Sequence, residues 1–129
     1  MPHSFSLLPG LYTLARLAPD ADIPAWALAA QGFVSISRSV DELSVVCASG
    51  LVPEGVHADR GWRCVRLKGP FAFDQVGVLA SFAVPLAQKG VGIFAISTFD
   101  TDYILFKEHQ LSNAIEALQA AGHVLADNC

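Results

Sequence analysis

The sequence predicts an α+β fold built from two ferredoxin-like βαββαβ modules in tandem, the first degenerate, with antiparallel sheets carrying helices on one face. Two observations predict it. In the second half of the chain, apolar residues switch between periods of two and 3.6 in the order strand-helix-strand-strand-helix-strand. The first half repeats the opening of that order. Sliding the chain by 60 residues lays "GFVSISRSVDELSVV" (Gly32 to Val46) over "GIFAISTFDTDYILF" (Gly92 to Phe106) without a gap. Gly32/Gly92, Ile36/Ile96 and Ser37/Ser97 are then identical, and Glu42 falls over Asp102. The expected division is 1-61 for the degenerate module and 62-129 for the complete one.

In order, "LYTLARL" (Leu11 to Leu17) is expected as a strand and "PAWALAAQG" as a short helix, with Pro24 near its first position and Asp22 as its cap. "FVSISRS" and "ELSVVCA" follow as two strands. "SGLVPEGVHADRG" has too many Pro, Gly and charged residues for a second helix. "WRCVRLKG" (Trp62 to Gly69) alternates as a half-buried strand. "PFAFDQVGVLASFAVPLAQKG" is expected as a helix capped by Asp74 and stopped by Gly90, with Val78, Leu79, Phe82 and Leu86 at helical spacing. Pro85 lies inside it, which removes the hydrogen bond to the Ser81 carbonyl and predicts a kink. "VGIFAIST" and "DYILFK" are strands. "EHQLSNAIEALQAAGH" is a helix with Leu111, Ile115 and Leu118 on one face and Gly122 as its stop, and "VLA" is a last strand.

Composition narrows the function. The 129 residues are 53% apolar and 16% charged, with a net charge of −4 and a mean hydropathy of +0.44. An apolar surplus of this kind predicts a subunit interface. No Lys/Arg cluster offers a nucleic-acid surface. The longest apolar run, Val76 to Ala87, is too short to span a bilayer and contains Pro85. The N-terminus lacks the basic region of a signal peptide. Cys47, Cys64 and Cys129 have no metal-ligand spacing, which predicts reduced thiols and a cytoplasmic location. Cys47 and Cys64 fall on strands and are expected in the core. His3, His57, His109 and His123 are scattered, and each is expected at the surface. No nucleophile–base pair, metal set or cofactor motif is visible, so neither catalysis nor a cofactor is expected.

One polar patch stands out. Thr98, Asp100, Thr101 and Asp102 crowd the junction between two apolar strands, with Phe99 among them. Period two places Thr98, Asp100 and Asp102 on one side of an extended segment. A carboxylate there suits an ammonium or guanidinium. The plain alternative is that these side chains only satisfy turn backbone groups. The segment "KGPFAFDQVGV" has Gly69-Pro70, Phe71, Phe73 and then Gly77 at the first turn of a helix, where free N–H groups suit a carboxylate. An ordinary cap is the alternative there. Together the two ends match an amino acid.

The run "RGWRCVRLKGPFAFDQVGVLASFAVPLAQKGVGIFAISTFDTDYILFKE" resembles the ACT-domain proteins, specifically the small bacterial ones related to the animal cytosolic arginine sensor. The resemblance covers Arg60 to His123 strongly and Leu11 to Ala48 loosely. It implies a non-catalytic regulatory protein binding a small ligand, an amino acid, between ACT modules. By the same resemblance Thr98 and Phe99 line the pocket, Asp102 faces the basic end of the ligand, and Gly77 and Leu79 lie beside it, with Phe73, Gln75 and Val78 on the same junction. Gln75 stands where the sensor has an acidic residue and Ala72 where it has a glycine, which weighs against arginine. One chain in place of a fused pair implies a homodimer. The competing expectation is a ligand-free oligomerisation or interaction module that docks to an enzyme of amino-acid metabolism.

Overall fold

The computed structural model of the chain describes residues 3–29, 32–69 and 76–126. In chain order the strands are β1 (Ser4–Leu7), β2 (Tyr12–Leu17), β3 (Ser35–Arg38), β4 (Leu43–Ala48), β5 (Ala58–Leu67), β6 (Phe94–Ser97), β7 (Asp102–Lys107) and β8 (Val124–Leu125). The helices are α1 (Ala25–Leu28), α2 (Val78–Gln88) and α3 (Leu111–Ala120). Contacts divide the chain into two units: Gly10–Trp62, and Met1–Pro9 together with Arg63–Cys129.

In the unit Gly10–Trp62, β4 lies between β3 and β2, antiparallel to both, and the first residues of β5 pair with β2. Ala15, Val45 and Cys47 share one face with Ala27 of α1 and form its core. The α1 cap is Pro24 rather than Asp22, with no side-chain cap bond. After β4 only a 3-10 turn forms (Ser49–Leu51), in keeping with the Pro- and Gly-rich sequence there.

The second unit follows the expected strand-helix order from β5 to β8, with one addition. A βαββαβ sheet sets its closing strand beside its opening one. Here β1 stands between them, antiparallel to β5 and parallel to β8, so the sheet runs β6-β7-β5-β1-β8. The "SFSL" sequence of β1 carries only two core-facing residues, too few to register as a strand period. Phe5, Val65, Leu67, Ile104 and Phe106 on the sheet meet Val78, Phe82 and Leu86 of α2 and Ala114, Ala117 and Leu118 of α3. Burying each large side chain contributes about 1.5–3 kcal/mol, against about 1 kcal/mol for a helix cap, so together they hold the helices in place.

Both helices end in the same way. Gly90 (φ +81°) and Gly122 (φ +96°) take the left-handed conformation. Val91 N–H then bonds the Leu86 carbonyl at 2.9 Å and His123 N–H the Leu118 carbonyl at 3.0 Å, the Schellman arrangement. The start of α2 differs from expectation: its N-cap is Gly77, and Asp74 lies outside the described residues. The surface expectation for His123 is also overturned, since the residue is only 4% exposed. Cys47 and Cys64 are buried as expected. No helix of the described residues is long and apolar enough to cross a membrane.

Candidate functional site

The polar patch forms the turn between β6 and β7. Thr98 N–H donates to the Thr101 carbonyl at 2.8 Å, and the Thr98 hydroxyl reaches the same oxygen at 3.0 Å. Thr101 donates its hydroxyl to the Leu67 carbonyl at the end of β5. The approach there is close: a Cβ on Gly69 would lie 2.6 Å from the Asp100 carbonyl oxygen. The turn is thus fastened to the point where the chain leaves β5 for α2. With Arg66 and Gly69, Asp100 and Thr101 also line a hollow of about 240 Å³.

Asp102 opens β7, paired with Ser97 across the hairpin. The Ser97 hydroxyl donates to Asp102 Oδ1, and Asp102 remains partly exposed. Strand alternation puts Asp102 on the same face as Ile104 and Phe106, the helix-bearing face of the sheet. Phe99 projects at the turn tip, 77% exposed.

The first hairpin serves as an internal comparison. Its turn is built alike: Ser39 N–H donates to the Glu42 carbonyl at 2.9 Å, its hydroxyl faces the same oxygen at 3.5 Å, and Val40 at the tip is 91% exposed. Arg38 pairs with Leu43 where Ser97 pairs with Asp102. Matching residues are therefore 59 apart (Ser39 and Thr98), not 60 as the identities suggest. The difference of one residue matters because it exchanges the two faces of every strand. Thr98 now matches Ser39, and its hydroxyl builds the turn as Ser39 does. Asp102 matches Leu43, which is fully buried, rather than Glu42. What distinguishes the second hairpin is the Ser97·Asp102 pair.

At the other end of the junction, Gly77 caps α2 with φ +81°. A glycine has no side chain to cap the first-turn N–H groups, and no acidic residue stands in that turn. Val78 turns its side chain into the core at 6% exposure, and Leu79 packs against the same cluster. These two contribute backbone, not side chain, to the helix start. Phe73 and Gln75 lie outside the described residues.

Comparison with known proteins follows the same division. A family model described as an ACT domain matches residues 57–120, and one described as an N-terminal domain matches residues 10–55. The cytosolic arginine sensor for mTORC1 subunit 1 of Homo sapiens is 41% identical over 66 residues, 50% of this chain and 20% of that protein. The chain thus matches about a fifth of the length of that relative. The crystal structure of protein Atu0741 from Agrobacterium tumefaciens is 43% identical, with a TM-score of 0.93 over 100% of this chain and 96% of that one. The regulatory subunit of aspartate kinase from Thermus thermophilus superposes with a TM-score of 0.62 over 89% of this chain and 94% of that one, at 14% identity, and so shares the fold alone. With an end-to-end relative of this similarity and the domain match over its second half, the chain belongs to the ACT-domain family.

Proposed function

We propose that the chain is a non-catalytic regulatory protein that binds an amino acid at the junction of the β6–β7 turn and the start of α2. The observation that carries this reading is the Ser97·Asp102 pair, which stands where the other hairpin buries Leu43. Nothing in turn construction requires a carboxylate there, since the first hairpin makes the same turn without one. Asp102 offers a charge-assisted partner for an ammonium or a basic side chain. The first-turn N–H groups, for which Gly77 has no capping side chain, offer donors and a favourable dipole for a carboxylate. Phe73, Gln75, Val78, Leu79, Thr98 and Phe99 complete the proposed lining. We assign the chain two tandem modules, a degenerate one within 1-61 and a complete one over 62-129 to which β1 adds a strand, in a cytoplasmic, bacterial homodimer whose paired modules enclose the ligand. The kinship with an arginine sensor supports an amino acid as the ligand class.

A second reading, a ligand-free module docking to an enzyme of amino-acid metabolism, is favoured by the exposed apolar Phe99, Val76 and Val124. Thermal melting against the common amino acids separates the two. Ligand at about a hundred times its Kd adds roughly 2.7 kcal/mol, a rise on the order of 5–15 °C for a domain of this size. A response to no amino acid would remove the sensor reading. Where one responds, Asp102→Ala should erase the rise while the ligand-free melt stays within a few degrees. An undiminished rise would return Asp102 to the role of a turn residue.

A further inference from the structure

Pro85 lies four residues beyond Ser81 in α2, so the helix itself has no N–H for the Ser81 carbonyl. The His123 ring supplies one, with Nε2 2.7 Å from that oxygen. The other ring nitrogen, Nδ1, accepts from the backbone N–H of His3 at 3.1 Å. A carbonyl only accepts and an amide N–H only donates, so both contacts select one state of the ring: neutral, with its proton on Nε2. The ring stacks on Phe82 at 3.8 Å between centroids and 11° between planes. Its backbone is held by the Schellman end of α3.

The bonds form a series that reaches the start of α2. Ser81 N–H donates to the Gly77 carbonyl at 2.9 Å, and the Ser81 hydroxyl donates to the Val78 carbonyl at 2.6 Å. Gly77, Ser81, His123 and His3 are thereby linked in sequence, from the helix start to the residue preceding β1.

We propose that His123 is a positioning residue for α2, whose Nε2–H replaces the hydrogen bond that Pro85 removes and ties the first turn of the helix to β1. This rests on the functional reading only in treating Gly77 as part of a site, and its test needs no ligand. His123→Phe keeps a ring against Phe82 and removes both hydrogen bonds. It should lower Tm by about 5–10 °C in the otherwise unchanged protein. Combined with Pro85→Ala, which restores a backbone donor to the Ser81 carbonyl, the same substitution should cost about half as much. An equal or larger loss in that background overturns the proposal. A ¹⁵N spectrum of the unaltered protein at pH 7.5 gives an independent reading should His123→Phe not fold. A proton on Nε2 with bare Nδ1 supports the assignment, and a proton on Nδ1 overturns it.

Discussion

At His3 the imidazole is held below the usual histidine range, chiefly by burial. The folded chain therefore holds this proton less tightly than the unfolded chain, where the value is 6.5. As pH falls, the unfolded state takes up more protons, so stability is full above about 6.5 and declines as pH drops through the folded value. Melts from pH 8 to pH 5 should show that decline, and His3→Gln should flatten it. An identical decline in the variant would place the proton elsewhere. Some residues were legible in the sequence at this scale. Cys64 sits on the apolar side of a half-buried strand, and burial duly pushes its thiol up to about 12. Asp102 was legible as a carboxylate where an apolar strand begins. The register of the two hairpins was not, because identity along a slid sequence is blind to which face a side chain takes, and the offset of 60 lies one residue from the structural one. His123 was hidden for another reason: the donor it supplies answers a proline on a different helix, a need that no local pattern records.

The elements were legible wherever their signals are local. Gly90 and Gly122 announce helix ends because only a residue free to take positive φ closes the Schellman bonds. Pro85 announced its missing bond, though not where the replacement came from. The start of α2 was displaced because Asp74 has the chemistry of a cap, whereas the helix begins after the left-handed Gly77. Strand β1 was missed because its identity depends on partners far along the chain. The contact between the β6–β7 turn and the end of β5 belongs to this scale and can be tested there. Gly69→Ala places a methyl group against the Asp100 backbone, which has no flexible end to yield. The turn should shift, and the amino-acid-induced rise in Tm should fall by at least half, with a loss of about 1–3 kcal/mol in ligand-free stability. A full ligand response in this variant would show that the turn's seat on β5 does not set the site.

For the whole molecule, mean hydropathy and apolar exposure point the same way. A hydropathy of +0.44 is high for a chain this small, and Val124 and Leu125 on the edge strand β8 remain 59% and 37% exposed. Sedimentation at micromolar concentration should give twice the 13.7 kDa chain mass. A species of single-chain mass across that range would remove the homodimer and leave the ligand with one chain's surface. The α+β class and the strand-helix order were legible because composition and period report them. The grouping of Met1–Pro9 with the residues after Trp62 was not, since it depends on pairing between opposite ends of the chain.

That pairing bears on how the protein is made. Ser4 pairs with Val124, and Phe5 with Leu67 and Leu125, so β1 leaves the ribosome long before the strands that hold it in place. By then Gly10–Trp62 has every strand of its own sheet available and is free to fold in passing. Phe5, fully buried in the finished molecule, waits for Leu67 and Leu125, which are made well after it. During that interval the nascent chain presents an unpaired apolar strand, the kind of segment that chaperones shield.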